Sequence, residues 1–265
     1  MTEWQNFEKE CKEYLESKYG KYAEFCLKGG SNANISDILV KTKSGRQFYI
    51  EVKHCPAQCG QFVLFPDSKT KKFTYSSKNV LPINESSNCI IKYMNEHFDK
   101  FSLTDTNGIN IEINNGSQIF ADWIVKSYHH KKAEYIITND FIIFPVEQIN
   151  KYFDISAKYR VKRSGSGSVG KNNLKSVLDH INANYVIDSV KTDGKKLFVK
   201  SSALSHNTRF KTGNYEYMFS MRDENIYEIR KLSNTYNANV IFSVELKKQV
   251  CTSDEKTFIL VLSEN

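Results

Sequence analysis

Residues 29–40 read GGSNANISDILV, and residues 46–53 read RQFYIEVK. The apolar, β-branched parts of both stretches, separated by a short polar segment, predict two strands joined by a turn. Because side chains alternate faces along a strand, Glu51 and Lys53 are expected on one face of the second strand, opposite its apolar residues. Hairpin pairing is expected to bring Asp37 beside them. The stretch therefore predicts two carboxylates and one amine at the rim of a sheet.

This trio suits a magnesium-dependent attack on a phosphodiester. Mg²⁺ prefers oxygen ligands and keeps several waters, so one or two protein carboxylates and the substrate phosphate suffice. Asp37 and Glu51 are the expected ligands, and the metal would lower the pKa of a bound water and neutralise developing charge. Lys53 is expected to position that water or to stabilise the transition state. The alternative is that Glu51 and Lys53 form a solvated pair on an edge strand.

The hairpin resembles the active-site hairpin of the PD-(D/E)xK nuclease superfamily, and its lead-in at residues 29–31 is similar to that of type II restriction endonucleases. The resemblance implies a restriction-endonuclease-like α/β fold, in which helices flank a mixed sheet. It also implies Asp37 and Glu51 as metal ligands and Lys53 as the catalytic lysine. Ser36 stands where the motif has proline, which is not a ligand, so this departure leaves the expected metal site intact.

Two further residues are candidates for the same site. Members of the superfamily often carry a glutamate on the helix before the hairpin, and Glu8 is the candidate here for a further metal ligand. It borders a predicted helical stripe made of Trp4, Phe7, Cys11, Tyr14 and Leu15. Gln61 is the second candidate, because polar residues beyond the lysine touch the scissile strand or its water in similar nucleases. The alternatives are an exposed helical glutamate and, in the turn-rich segment 55–80, a plain loop glutamine.

Length and composition fit a globular protein. The chain has 265 residues, of which 40% are hydrophobic and 13% aromatic. No apolar run reaches the roughly 20 residues that span a bilayer, and the charged first twenty residues do not resemble a signal peptide. We therefore expect a cytoplasmic protein without a membrane partner. The six cysteines have no C-x-x-C spacing and are expected to be reduced. A zinc site at Cys55 and Cys59 would lack a second pair of ligands.

The basic charge of the chain lies in its second part. Residues 1–155 contain 19 basic and 19 acidic side chains, whereas residues 156–265 contain 18 basic and 11 acidic ones, which accounts for the net charge of +7. A one-sided basic surface is typical of proteins that bind a phosphate backbone. The charge predicts a catalytic nuclease core at 1–155 and a basic α+β DNA-recognition part at 156–265. Ordinary solubilising charge is the alternative.

Specific DNA contacts are expected between residues 158 and 211. Guanidinium groups pair bidentately with guanine, which favours Arg160, Arg163 and Arg209 as base-reading residues. The residues expected to contact phosphates are lysines and the hydroxyls of a Gly/Ser loop, namely Lys162, Ser164, Ser166, Lys171, Lys200 and Lys211. A nucleotide-binding P-loop is the rival interpretation of this loop, but Asn172 replaces the hydroxyl residue that would hold magnesium.

The sequence thus predicts a type II restriction endonuclease that cuts both strands of a specific DNA sequence with Mg²⁺. Its alternatives are a structure-selective or repair nuclease of the junction-resolvase kind, and a DNA-binding module without catalysis. Double-stranded DNA is the expected partner, bound by one subunit or by a homodimer. The resemblance also implies a cognate DNA methyltransferase in the same genetic system, although not as a stable partner. In the second part, residues 225–232 are expected to be helical and residues 258–262 to form a strand.

Overall fold

The computed structural model describes residues 3–28, 35–249 and 252–264. The predicted lead-in at residues 29–31 lies outside the described residues. Two compact units make up the chain. The core unit comprises Thr2–Val161 and Ala238–Asn265, and the inserted unit comprises Lys162–Asn237.

Helices separate runs of consecutive strands in the described chain. The helices are α1 (Glu3–Tyr19), α2 (Glu85–Glu96), α3 (Phe98–Ser102), α4 (Gly116–His130), α5 (Ile149–Tyr152), α6 (Leu174–Asn184) and α7 (Glu255–Ser263). The strands of the first half are β1 (Ala23–Leu27), β2 (Ile38–Thr42), β3 (Gln47–Lys53), β4 (Ala57–Asp67), β5 (Lys72–Tyr75), β6 (Ile109–Asn110), β7 (Ala133–Thr138) and β8 (Ile143–Pro145). The strands of the second half are β9 (Phe153–Arg163), β10 (Gly167–Ser168), β11 (Ser189–Asp193), β12 (Lys196–Lys200), β13 (Arg209–Thr212), β14 (Tyr215–Asp223), β15 (Ile226–Lys231) and β16 (Tyr236–Leu246).

The first sheet of the core unit has the order β1-β2-β3-β7-β8. Strands β1, β2 and β3 pair antiparallel, β3 and β7 pair parallel, and β8 returns antiparallel to β7. The predicted hairpin is present, since Ile38 lies opposite Ile50, and Gly45 provides the positive φ of its turn. The expected mixed sheet is confirmed.

Alternation along β3 separates its two faces as predicted. Phe48, Ile50 and Val52 are buried in one cluster with apolar residues of α1 and α7. Tyr49 packs against the other core cluster, which contains the buried face of α4. Glu51 and Lys53 therefore lie on the face that carries Tyr49.

Helix α1 buries the apolar positions that recur every four residues. Phe7, Cys11 and Leu15 of the predicted stripe are buried, as is Tyr19, and Tyr14 is half-buried. Trp4 is 47% exposed and does not belong to it, because the helix packs on the sheet from its second turn onward.

The second sheet of the core unit has the order β5-β4-β16-β9-β6. Its strand β4 runs through the segment 55–80, which was expected to be mainly loop. Ala57 to Leu64 pair with β16, almost two hundred residues later in the chain, and this pairing supplies the backbone partners that turn the segment into a strand. The loop prediction is wrong for β4 and β5, whereas turns connect the two strands at 68–71 and follow them at 76–80.

The predicted boundary after residue 155 is also wrong. Strand β9 continues through it to Arg163, and the chain returns to the core unit at Ala238. Phe258 and Leu262 of α7 are buried in the cluster that contains Phe7. Residues 238–265 therefore complete the core unit, and the basic inserted unit is shorter than the predicted recognition part.

The inserted unit is an antiparallel sheet with one helix against it. The strand order is β11-β12-β15-β14-β13, and the short β10 pairs with β15. Val177 and Ile181 of α6 are buried with apolar residues from one face of the sheet. Residues 225–232, expected to be helical, form β15, and residues 258–262, expected to form a strand, lie in α7. No helix in the described residues is long and apolar enough to cross a membrane.

Candidate active site

Asp37 lies immediately before β2, next to the strand that carries the other two predicted residues. Its Oδ2 accepts a hydrogen bond of 2.8 Å from the backbone N–H of Val52, and its backbone oxygen accepts one from Lys28. The pKa of the Asp37 carboxyl is raised to about 6, chiefly by burial and then by the nearby negative charge of Glu51. Lys53, the Val52 N–H and Lys131 act in the opposite direction.

Glu51 is 5% exposed and has one oxygen without a partner. Its Oε1 accepts a hydrogen bond of 2.8 Å from Lys53 Nζ, whereas Oε2 is buried with no hydrogen-bond partner. Burial alone would raise the pKa of this carboxyl, but the ammonium groups of Lys53 and Lys131, together with the nearby Ser36 hydroxyl, outweigh it and lower the pKa. Glu51 is therefore an ionised, buried carboxylate with an unfilled acceptor.

The end of β3 at Lys53 and the residues after it are held by Thr138, the last residue of β7, and by Asn139, which follows it. Thr138 Oγ1 donates to the Lys53 backbone oxygen at 2.6 Å, and Asn139 Oδ1 accepts from the Cys55 N–H at 2.7 Å. The side chain is 14% exposed. Burial would lower the pKa of the ammonium, but Glu51 raises it above its ordinary value. Lys53 is a charged group in a fixed position.

Glu8 lies half-buried on α1, near the two other carboxylates. Burial raises its pKa to about 7, with Asp37 as the second cause. Among the described residues, however, no three His, Cys, Asp or Glu side chains form a group that could hold a metal ion. The structure thus brings Glu8 into the electrostatic field of the site without placing it in a three-carboxylate cluster.

Gln61 lies on β4 and lines the same pocket as Glu51 and Lys53. This pocket, the site pocket, has a volume of about 420 Å³ and includes Glu51, Lys53, Gln58 and Gln61 in its wall. Gln58 Nε2 donates to Gln61 Oε1 at 3.2 Å. Gln61 is therefore a strand residue that faces the candidate site rather than a loop residue.

Lys131 is a site residue that the sequence interpretation missed. It follows α4 directly, lines the site pocket, and is close enough to Asp37 and Glu51 to lower the pKa of both carboxyls. No local motif marks it, because the parallel pairing of β3 with β7 is what brings the end of α4 to the site.

The donor set fits a magnesium ion. Asp37 and Glu51 offer two carboxylates, which is enough when waters and a substrate phosphate complete the coordination shell. The buried Glu51 Oε2 without a partner supports this fit, because buried polar atoms are otherwise nearly always satisfied.

Arg160, one of the predicted DNA-binding residues, lies on β9 within the core unit. It lines a cavity of about 620 Å³ together with Lys158 and Gln58, and its Nε is buried without a hydrogen-bond partner. Gln58 also lines the site pocket, so the two cavities adjoin at this side chain.

Three predicted DNA-binding residues share one sheet face of the inserted unit. Their neighbours Val199 and Phe210 point into the core that α6 covers, so Lys200, Arg209 and Lys211 point to the opposite face. All three are exposed. The structure thus places them on a common face, as a DNA contact would require.

The remaining predicted residues have different surroundings. Arg163 donates from Nε to the Ser233 backbone oxygen at 2.5 Å and from Nη1 to Glu216, which favours a structural role over base reading. Ser164 exchanges hydrogen bonds with Thr235, and Ser166 accepts from Arg230. Lys162 begins the inserted unit, and Lys171 is exposed just before α6.

No protein-family model and no curated protein matches the chain. A solved structure of HhaI endonuclease in complex with DNA, however, is similar over nearly the full length of both proteins. The match covers 99% of this chain and 100% of that chain, with a TM-score of 0.85 and 34% sequence identity. With this identity over the whole fold, the chain belongs to the family of type II restriction endonucleases that includes HhaI endonuclease.

Proposed function

We propose that the protein hydrolyses both strands of DNA at a specific sequence with Mg²⁺ as its cofactor. The observation that carries this proposal is the arrangement of Asp37, Glu51 and Lys53 at one sheet edge, with Glu51 Oε2 buried and unpartnered. The similar HhaI endonuclease was solved in complex with DNA, which supports DNA as the substrate.

Each residue of the arrangement has a distinct role in this proposal. Asp37 and Glu51 would hold the metal, which when bound supplies an activated water and neutralises charge on the phosphate. The Val52 N–H fixes the orientation of the Asp37 carboxylate. Lys53, fixed through its backbone by Thr138, holds a positive charge where the negative charge of the reacting phosphate develops.

Binding of the duplex would involve both units. In the inserted unit, Lys200 and Lys211 are proposed to contact phosphates and Arg209 to read guanine. In the core unit, Arg160 is proposed to contact DNA next to the site pocket, because it lines the cavity that adjoins this pocket at Gln58. Lys162, Lys171, Ser164 and Ser166 remain candidates for phosphate contacts. The basic excess of the chain supports this assignment.

The test is digestion of a mapped plasmid with and without Mg²⁺. We expect discrete fragments with Mg²⁺ from the parent protein and none from Asp37→Asn, which loses a metal ligand. Asp99→Asn, a change at an exposed aspartate of the core unit, is the matched control and should cut as the parent does. Cleavage restricted to branched DNA would overturn site-specific restriction in favour of a junction resolvase, and full activity of Asp37→Asn would overturn the metal site.

Replacing Mg²⁺ by Ca²⁺ gives a second test of the metal site. It binds oxygen ligands but is larger and less strict in its geometry than Mg²⁺. We therefore expect Ca²⁺ to support specific binding without cleavage, measured as a gel shift that remains uncut.

A further inference from the structure

The end of α4 is tied to the strand that carries the site. The Lys131 N–H donates to the Tyr128 oxygen at 3.0 Å, which closes the helix. The next residue, Lys132, accepts a 3.0 Å hydrogen bond on its backbone oxygen from the Tyr49 N–H of β3. The backbone at Lys131 is therefore fixed relative to Glu51, two residues further along the same strand.

Lys131 and Lys53 flank the same buried aromatic ring. Each ammonium lies 5.9 Å from the centroid of the Tyr128 ring, and Tyr128 is buried. A ring face attracts cations, and the long aliphatic stem of lysine packs well beside it. The ring thus holds two cations at the edge of the site.

The two cations differ in how far they are neutralised. Lys53 forms an ion pair with Glu51, whereas Lys131 forms no ion pair with any carboxylate in the described residues. The described wall of the site pocket contains three lysines, Lys53, Lys78 and Lys131, together with His130, and its one carboxylate is Glu51. A positive pocket beside a metal site is suited to an anionic group of the substrate.

We propose that Lys131 binds a phosphate of the substrate strand, at or directly beside the bond that is cut. This inference rests on the proposed function, because the phosphate belongs to the DNA that the site cleaves. Lys131 supplies an unpaired ammonium on a flexible stem, which suits a single phosphate oxygen. The rival explanation is that Lys131 only offsets the negative charge of Asp37 and Glu51 and never touches DNA.

The first test compares neutral and charged substitutions. Lys131→Met keeps the stem beside Tyr128 and removes the charge, Lys131→Gln is a second neutral variant, and Lys131→Arg keeps the charge. We expect single-turnover cleavage to fall about 10²-fold in both neutral variants, as for loss of a transition-state charge contact, and to recover at least in part in Lys131→Arg. Lys126→Met, on the same helix but exposed, is the control and should keep the parent rate.

The second test distinguishes contact with DNA from a purely electrostatic role. Duplexes that carry the mapped cut site and a single neutral methylphosphonate are bound in Ca²⁺, one phosphate position at a time. At the contacted phosphate the parent should lose affinity, while Lys131→Met, which has already lost that contact, should lose clearly less. At every other position the two proteins should lose affinity equally.

The outcomes separate this inference from the proposed function. If the parent cuts and both neutral variants cut at its rate, the inference is wrong and the proposed function stands. If the neutral variants cut slowly but lose the same affinity as the parent at every methylphosphonate position, Lys131 does not touch DNA and the inference is again wrong. If the parent does not cut DNA with Mg²⁺, the proposed function is overturned, and this inference with it.

Discussion

Each unit of the protein contains a buried glutamate that faces basic side chains, and the two are satisfied differently. Glu228 of the inserted unit is 4% exposed, and both of its oxygens are filled: Oε1 accepts from Arg230, and Oε2 accepts twice from Arg222. Glu51 of the core unit is 5% exposed, yet its Oε2 has no partner. The two glutamates are thus equally buried but differ in their partners. We call the hydrogen bonds around Glu228, which fill both oxygens, the closed network, and those around Glu51, which leave Oε2 unfilled, the open network.

The difference fits a structural role for Glu228 and the metal-binding role proposed for Glu51. A buried acceptor without a partner is costly, so proteins rarely keep one unless something else binds there. One of the arginines around Glu228, Arg230, also donates hydrogen bonds to Ser166 in the loop before β10, which gives that network a structural purpose. Substitutions at Glu51, Lys53 and Glu228 test whether the network around Glu51 performs chemistry while the network around Glu228 supports the fold. Substitutions at Arg209 and Lys200 then test the DNA contacts proposed for the inserted unit.

Glu51→Gln should have the largest effect, because it removes the charge of a proposed metal ligand. We expect the single-turnover rate with Mg²⁺ to fall about 10³-fold or more, since a catalytic metal contributes several kcal/mol of transition-state stabilisation. Glu24→Gln, an exposed glutamate of the same sheet, is the control and should cut normally. An active Glu51→Gln variant would mean that the Glu51 carboxylate is not a metal ligand.

Lys53→Met should slow cleavage by about 10²-fold, because it removes a positive charge directed at the reacting phosphate. Binding of specific DNA in Ca²⁺ should remain measurable, since the carboxylates are unchanged. The measurement is single-turnover cleavage with saturating protein, with a gel shift in Ca²⁺ beside it. A cleavage rate equal to that of the parent would mean that Lys53 only forms an ion pair with Glu51 and does not act in catalysis.

Glu228→Gln should lower the free energy of unfolding by about 1–3 kcal/mol, since it weakens hydrogen bonds between charged groups. The arginines lower the pKa of Glu228, although burial opposes them. The stabilisation is therefore present above the unfolded pKa of about 4.3 and is lost as the pH falls through the lower folded pKa. Chemical denaturation at pH 7 and pH 3 should show the difference from the parent shrinking at the lower pH.

The control for this prediction is Glu224→Gln, a change at an exposed glutamate of the same unit, which should leave the stability unchanged. A Glu228→Gln variant as stable as the parent at pH 7 would contradict the structural role of the closed network.

Arg209→Ala should cost roughly 1–3 kcal/mol of specific binding if Arg209 reads guanine, and it should relax the preference at one base pair only. Competition of a cognate duplex against single-base variants, in Ca²⁺, measures both effects. Arg163→Ala is the informative comparison, because its guanidinium is engaged by Glu216 and the Ser233 backbone. An equal loss at every base pair would instead identify Arg209 as a phosphate contact.

Lys200→Ala should have the smallest effect, a uniform weakening for all sequences and a reduction of the salt slope by about one. The measurement is the binding constant for cognate and random DNA at several salt concentrations. Lys175→Ala, an exposed lysine on α6 behind the sheet, is the control. Identical salt slopes for Lys200→Ala and the parent would show that Lys200, on the sheet face opposite α6, does not contact DNA.

The trio of site residues could be predicted from the sequence because its geometry is local. Alternation along β3 fixes Glu51 and Lys53 on one face, and the short turn at Gly45 brings Asp37 opposite them. Lys131 could not be predicted in this way. It reaches the site only through the parallel pairing of β3 with β7, which no short motif encodes.

The secondary-structure errors have the same origin. Residues 225–232 carry a pattern that fits a helix, but β12 and β14 hydrogen-bond to both sides of the segment and make it a strand. Residues 258–262 are continuously apolar, which suggested a strand. The cap at Asp254, whose side chain accepts from the Thr257 N–H, starts a helix there instead. Tertiary partners and a single capping residue overrode the local preference.

The order β4-β16-β9 in the second sheet has a consequence for synthesis of the protein. Strand β16 lies between two strands that precede it by many residues, and it is made only after the whole inserted unit. While the ribosome is still translating residues 162–235, the nascent core unit lacks both this central strand and the α7 residues that pack on α1. The core unit that holds Asp37, Glu51 and Lys53 can therefore be completed only after β16 and α7 have been made, and the inserted unit can fold before it.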